Sequence, residues 1–404
     1  MPFFRFSHTA VALALSCASL GAYAADAYQP QGECAGLPRL NLKVAQGFCL
    51  GLAATGLGMP RGVLPLADGS VLVVDMGGWG RGKGRLLKLV RDGKQYQPTV
   101  LLTGLNRPYG IQLGPDGWVY LGEDDRIVRF NPKEASVTPQ VVIDDHPSEG
   151  RHPLTSFVFG KQGEMYVNVG APTDNCEGHI EASKPVLQSC PDVDGEPVHA
   201  GIRKYVQQDG KWAWTVVARG LRNSMALAVH PKTGTLWQGE NSRDYINKKI
   251  PGLKNDDNLP HEELNKIVQG GNYGWPYCYD DNVASPEFPA ADCKGMIKPA
   301  RLWPGHAAPL GMVYYNAAKA PAGWRDGLVV TFHGYRSNGY RLVFQPFNAA
   351  GEPAGNFKEL IAGWKNIDGK QPMGAPTDVK ADAQGTLWVT EDRNGTLLAL
   401  VPQQ

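Results

Sequence analysis

The amino-acid sequence predicts an all-β protein, a six-bladed β-propeller of four-stranded blades with two long disulfide-stapled insertions. Three observations carry that expectation. Gly 49 and Pro 31 in 404 residues are high for a helical chain, and they punctuate short β-branched and aromatic runs such as VLVVDMGG and GWVYLGED. One unit recurs six times: apolar alternation, a turn ending in glycine, then renewed alternation. From Gly69 to Gly117 is 48 residues and from Gly117 to Gly163 is 46, the length of a four-stranded blade. A sandwich would not explain so regular a recurrence, and a solenoid would repeat at a shorter period.

Along the chain, residues 1–24 read as a signal peptide. Arg5 supplies the positive start, TAVALALSCASL is an apolar stretch too short to span a bilayer, and Ala22-Tyr23-Ala24 is a small-x-small cleavage site. A competing reading makes Cys17 a lipidated residue, although Ala14-Leu15-Ser16 fits the pattern of such sites poorly. Export to the periplasm or the exterior is the expectation, with residues 25–404 forming a single propeller domain.

The turns follow in order at Asp68-Gly69, Asp116-Gly117, Gln162-Gly163, Thr233-Gly234, Asp326-Gly327 and Gln384-Gly385. Each reads as a hairpin because glycine supplies the positive φ while β-branched and aromatic residues fit the flanking pleats. The later intervals are longer, which places insertions between blades, chiefly Thr173 to Ala200 and Lys248 to Lys298. Long loops on a rigid scaffold are where sites are assembled.

Composition limits the partners. A formal net charge of +1 leaves no electrostatic footprint for nucleic acid or an anionic membrane, so a small molecule or a protein is expected. Beyond Cys17, six cysteines form three sequence-local pairs, Cys34 with Cys49, Cys176 with Cys190 and Cys278 with Cys293. Six cysteines permit 15 connectivities, and the local spacing with an oxidising compartment favours loop staples over metal binding. Nowhere is there a C-x-x-C-H, so the chain holds no covalent c-type haem of its own.

A propeller acts at the mouth of its central channel, where the innermost strands deliver side chains to one place. Three polar groups stand beside apolar strands: His152 before SFVFG, Arg222-Asn223 before SMALAV, and Arg336 in FHGYRSNGYRL. Singly, each reads as a loop cap, an ion-pair member or a solvated charge. Together they bring a base, cations and an amide to one axial pocket, the set needed to remove a proton beside a developing oxyanion.

The segments RHPLTSFVFGKQGEMYVNVG, GLRNSMALAVHPKTGTLWQGEN, IVQGGNYGWPYC and HAAPLGMVYY resemble the soluble pyrroloquinoline-quinone-dependent aldose dehydrogenases and their sorbosone-dehydrogenase-like relatives, which are six-bladed propellers. The resemblance runs from about Gly58 to Leu400, and its most specific piece is Gly270-Gly271-Asn272-Tyr273-Gly274-Trp275-Pro276. It implies that His152 is the general base, that Arg222 and Asn223 bind the quinone and stabilise its reduced oxygen, and that Arg336 contacts the cofactor's carboxylates. It also implies Ca²⁺ on backbone carbonyls, here the stretch Asn241-Ser242-Arg243-Asp244, where the glucose-oxidising members carry Gly-Pro; Asn241, Ser242 and Asp244 are the expected ligands. The chain departs from the family at Ala375-Pro376-Thr377, where those members have two cofactor arginines, and at Thr155, where sorbosone-type relatives often have an arginine three residues after the histidine; Thr155 is the expected cofactor-binding residue at that position.

The implied activity is oxidation of an aldose or a related alcohol or aldehyde, with hydride passing to the quinone and electrons leaving to an external cytochrome or quinone. Imidazole suits the base because its pKa lies nearest neutral pH, a fixed guanidinium and Ca²⁺ stabilise developing negative charge, and the redox chemistry belongs to the cofactor. Two alternatives stand beside it. A calcium-dependent, lactonase-like propeller would need acidic ligands on the axis, and Glu123, Glu240 and Glu391 end equivalent strands in LGED, QGEN and VTED; their recurrence also suits bonds to neighbouring backbone. A non-catalytic binding propeller is the other. Trp275, Tyr277 and Tyr279 read either as a sugar platform or as packing for a stapled loop.

Overall fold

A computed structural model describes residues 28–134, 136–177, 189–334, 336–364 and 374–403. The expected leader and Cys17 lie outside the described residues. No helix among the described residues is long and apolar enough to cross a membrane.

Six sheets carry four antiparallel blade strands each. The innermost strands are Pro60–Pro65, Ile111–Leu113, Phe157–Phe159, Ala226–Val229, Pro309–Tyr315 and Pro376–Ala381, for blades I to VI. Each contacts the next and the sixth contacts the first, closing a ring around one axis. The closure is completed by the chain's two ends: Phe48–Ala54 pairs antiparallel with Thr396–Pro402 as the outermost strand of blade VI.

Strand periodicity explains why these strands are apolar on both sides. Successive side chains point to opposite faces of a sheet, and each blade is covered on both faces by a neighbour. In blade I, Val71 and Val73 enter the core shared with blade VI, while Leu72 and Val74 enter the core shared with blade II. In blade V, Leu328 and Val330 face blade IV and Val329 faces blade VI. Six inter-blade cores result, one at each interface.

Five of the six turns have the expected glycine at positive φ, with Gly69, Gly117, Gly163, Gly234 and Gly385 between 74° and 86°. Blade V differs. There Asp326 takes the positive φ of 57°, and Gly327 already begins the second strand. A Cβ on Gly327 would lie 2.4 Å from the Gln345 carbonyl oxygen, so that glycine is there for close strand packing.

The insertions lie within blades and not between them. Thr173–Ala200 joins the second and third strands of blade III, and the stretch 248–298 contains the third strand of blade IV, Glu262–Lys266. The reading failed because a blade's second-to-third connection can lengthen without disturbing the hairpin that marks the repeat. All three expected disulfides form, with Cα–Cα distances of 5.7 Å for Cys34–Cys49, 6.0 Å for Cys176–Cys190 and 5.9 Å for Cys278–Cys293. Cys176, Cys190 and Val193 from the first insertion pack with Trp275 and Phe288 from the second, so the two share a small core above the mouth.

At the mouth every blade repeats one device. A side chain near the end of the second strand accepts a backbone N–H at the entry of the first: Asp75 from Met59 at 2.8 Å, Glu123 from Asn106 at 2.7 Å, Asn168 from Ser156 at 2.7 Å, Glu240 from Asn223 at 3.0 Å, Thr331 from Gly311 at 2.8 Å and Glu391 from Ala375 at 3.0 Å. These bonds fix where each strand, and any residue preceding it, enters the channel.

Candidate active site

The site opens at the mouth beside blades III and IV. His152 is half-buried ahead of blade III's innermost strand, and its Nδ1 lies 2.6 Å from the Ala171 carbonyl oxygen. A ring nitrogen facing a carbonyl must carry the hydrogen, so the lone pair resides on Nε2. Burial, and after it the charge of Arg222, holds the pKa of His152 well below the ordinary 6.5. The imidazole is therefore neutral at neutral pH and competent to accept a proton. The same residue couples it to blade IV, because Ala171 N–H donates to the Arg222 carbonyl at 2.8 Å.

Arg222 is 5% exposed, and its guanidinium is held on three sides: Nε donates to the Asp174 carbonyl at 3.1 Å, Nη1 to the Asn241 carbonyl at 2.9 Å, and Nη2 to the Asp174 carboxylate. Asp244 Oδ2 stands 3.8 Å from Nη2. Burial alone would weaken the charge, but Asp174 and Asp244 more than offset it and raise the Arg222 pKa. Guanidinium has five N–H donors, so two lie beyond these three bonds. Next to it, Asn223 Oδ1 is buried with no hydrogen-bond partner among the described residues.

Of the expected metal ligands, Asn241 and Asp244 join this cluster, while Ser242 is turned into blade IV, its N–H donating to Glu262 Oε2 at 2.6 Å and its hydroxyl to the His261 carbonyl. The Asn241 carbonyl accepts from Arg222, and the Asp244 carbonyl accepts from Arg243 Nε at 3.3 Å. Among the described residues no group of three or more His, Cys, Asp or Glu side chains could hold a metal. Arg336 follows the second strand of blade V rather than preceding an innermost strand; it pairs with Asp256 and, at 3.2 Å, with Asp257. It joins the cluster through His306, which stands 3.5 Å from Asp256 and 3.4 Å from Asp244. Thr155 is fully buried lower in the channel, and its hydroxyl has no partner among the described residues.

Beneath the site the axis is filled. Met59, Met76, Tyr109, Leu154, Met225 and Leu310, drawn from five blades, pack together, and the Tyr109 hydroxyl reaches the Thr377 carbonyl of the sixth at 3.2 Å. Access is therefore from the mouth. Two aromatics of the second insertion are structural: Trp275 is buried with Nε1 on the Asp174 carbonyl at 3.1 Å, and the Tyr277 hydroxyl bonds Cys190 N and Asp194, while Tyr279 is half-buried. Glu123, Glu240 and Glu391 each bond their own blade's backbone, and burial raises Glu240 to about 7 and Glu391 to about 6.

Sequence reasoning missed several members. Asp174 and Asp256 arrive from inserted loops, where no periodicity predicts position. His306 opens HAAPLGMVYY, one of the segments carrying the resemblance, where no strand alternation sets it apart. Across the ring, Arg61 of blade I pairs with Asp392 at 3.1 Å, and His333 Nε2 meets the same carboxylate at 3.1 Å. Burial would push Asp392 up, but His333 and Arg61 bring it down to about 2. Arg61 could have been found, because it stands at the entry of an innermost strand as His152 and Arg222 do.

The chain is similar to several known proteins. A pyrroloquinoline quinone-dependent sugar dehydrogenase of Hypocrea jecorina is 24% identical over 88% of this chain and 88% of its own length. A pyrroloquinoline quinone-dependent pyranose dehydrogenase of Coprinopsis cinerea is 25% identical over 82% of this chain, which spans 49% of that protein, and the chain spans 46% of a matching Borreliella burgdorferi protein. Among solved structures, the calcium structure of the Trichoderma reesei family AA12 enzyme superposes with a TM-score of 0.72 at 21% identity, covering 91% of this chain and 98% of that one. The holo pyranose dehydrogenase domain from Coprinopsis cinerea superposes at 0.68 with 20% identity, covering 91% and 99%. The family model described as TrAA12-like matches residues 42–291, more than half the sequence, from ahead of the closing strand of blade VI into the second insertion, and so the chain belongs to the TrAA12-like family.

Proposed function

We propose that this protein oxidises an aldose or a related alcohol or aldehyde with pyrroloquinoline quinone as cofactor, and that His152 is the general base. The observation that carries the reading is His152 itself, a neutral imidazole with its tautomer fixed by the Ala171 carbonyl, beside buried Arg222 and the buried Oδ1 of Asn223. The names of the curated relatives, which are pyrroloquinoline quinone-dependent sugar and pyranose dehydrogenases, support the same chemistry. The three disulfides support an oxidising compartment as the place of action.

The residues fit a planar anionic quinone. Asn223 Oδ1 is a buried acceptor with no partner among the described residues, and Arg222 has two N–H groups beyond its three hydrogen bonds to them. When bound, the quinone supplies the two-electron acceptor for hydride. His152 Nε2 takes the proton of the substrate hydroxyl as the C–H bond breaks. Arg222, held rigid by Asp174 and Asn241, stabilises negative charge without reorganising. Asp174, on the first insertion, orients Arg222 through its carbonyl and its carboxylate.

The residues do not fit Ca²⁺ as they stand. The Asn241 and Asp244 carbonyls face guanidinium groups, whose charge repels a second cation. No step is assigned to a metal.

The test is a titration of the protein with pyrroloquinoline quinone, followed by addition of an aldose. Quinone absorbance should appear on binding and change on reduction. His152→Ala should lower turnover by about 10² to 10⁴ with cofactor uptake retained. Wild-type turnover in that variant would remove His152 from the role of base, and failure to bind the quinone at all would overturn the enzyme reading.

A further inference from the structure

The connection from Asp244 to Asp256 in blade IV is a loop closed upon itself at the mouth. Its ends meet where Tyr245 N–H donates to Asp256 Oδ2 at 2.7 Å. Ile246 is fully buried and anchors it, Lys248 and Lys249 N–H bond the Tyr245 and Ile246 carbonyls at 3.0 and 2.9 Å, and Asn247 Nδ2 reaches the Lys254 carbonyl at 3.4 Å. Both terminal carboxylates face inward, Asp244 toward Arg222 and Asp256 toward Arg336.

Between those ends the loop displays Lys248, Lys249 and Lys254, all exposed, with no acidic residue among them. None of the three pairs with a carboxylate among the described residues; Lys248 instead lies 4.0 Å from the centroid of the Tyr245 ring. By contrast, Lys266 and Lys298 of the same blade are paired with Glu352 and Asp281. The patch stands out because the chain as a whole carries a formal charge of only +1. Tyr245, 46% exposed, adds an aromatic surface to it.

We propose that this loop is the docking surface for an electron-acceptor protein with an acidic face, a one-electron carrier. The inference rests on the reading of the site as a sugar dehydrogenase. Oxidation of one aldose to its lactone releases two electrons and two protons; two carrier molecules each take one electron, and the protons pass to solvent. The chain carries no C-x-x-C-H to hold a c-type haem, and the loop's two ends, Asp244 and Asp256, reach the site's Arg222 and Arg336. Three cations on an ordered scaffold steer an anionic partner to the mouth and set its orientation.

The experiment reoxidises the sugar-reduced holoprotein with plastocyanin, an acidic cupredoxin, and with two small acceptors of opposite charge, ferricyanide and hexaammineruthenium(III). Neutral benzoquinone serves as the reference. Rates with plastocyanin and ferricyanide should fall as ionic strength rises, and hexaammineruthenium should show the reverse. The triple variant K248E/K249E/K254E should slow plastocyanin about tenfold at low salt, the triple Lys→Arg variant should match wild type, and benzoquinone rates and cofactor titration should not change in either. Normal benzoquinone turnover with no charge dependence in wild type or variants would overturn the docking surface alone. No turnover with any acceptor would overturn the dehydrogenase reading, and this inference with it.

Discussion

At the scale of single residues, the pKa of His152 decides how the site behaves in acid. Burial depresses it first and Arg222 second, so the neutral, base-competent form persists below the ordinary histidine pKa. The acid limb of kcat/KM should therefore lie well below pH 6.5, and Arg222→Gln, by removing the second cause, should move it upward; an unmoved limb in that variant would mean that a different group is the base. His146 gives a second, structural prediction. It is 6% exposed, its Nδ1 lacks a partner among the described residues, and burial followed by the charge of Arg203 holds it at about 3. Its folded pKa is depressed, so its contribution to stability is complete above the unfolded value of 6.5 and is lost as pH falls toward 3. Over that window unfolding free energy should decline by up to about 1.4 kcal/mol per pH unit from this group, and His146→Phe should flatten the slope in urea titrations. His152 was legible in the sequence because it precedes a strand within a resembling segment. His146 was not, because nothing local distinguishes a histidine that will be desolvated.

At the scale of elements, the second-strand side chains and the stapled insertions do different work. Glu391 accepts N–H groups from Ala375, Arg393 and Asn394 at 3.0, 3.0 and 2.9 Å, whereas among the described residues Thr331 accepts only that of Gly311. A buried donor left without an acceptor costs about 1–3 kcal/mol. Glu391→Ala should accordingly destabilise by about 3 kcal/mol or more and Thr331→Val by about 1–3 kcal/mol; equal effects in urea unfolding would show that these groups do not fix the strand entries. The Cys176–Cys190 staple acts on the site. Asp174 sits two residues before it and holds both Nε and Nη2 of Arg222, so Cys176→Ser with Cys190→Ser should weaken quinone uptake. The closed loop is worth about 3 kcal/mol in the chain-entropy model, much of it local to the insertion. Turns and disulfides were legible because their determinants lie within a few residues of each other. Blade V's exchange of Gly327 for Asp326 at the turn was not, since the reason for Gly327 is Gln345 on the neighbouring strand. Nor was the acidic shell of Arg222, whose members Asp174 and Asp244 come from different blades.

At the scale of the molecule, closure of the ring makes every blade an interior blade. An open array frays from its ends, because terminal repeats lack one neighbour. Here each blade has two neighbours, and the seam between them is sealed by Phe48–Ala54 on Thr396–Pro402. Leu50 lies on that sealing strand, fully buried in the core that blade VI shares with blade V. Truncating it to alanine removes the transfer free energy of its methyl groups and leaves a cavity, at a cost of about 2–5 kcal/mol. If closure couples the blades, this loss should not stay local. Hydrogen exchange should accelerate by a similar factor in the middle strands of blades II and III, across the ring, as in blade VI itself. The same substitution should leave the pH profile of His152 unmoved, because the Ala171 carbonyl and Arg222 that set it belong to blades III and IV. Accelerated exchange confined to blade VI would mean that the ring behaves as independent blades held in sequence, and that the mouth depends on its local bonds more than on the seam.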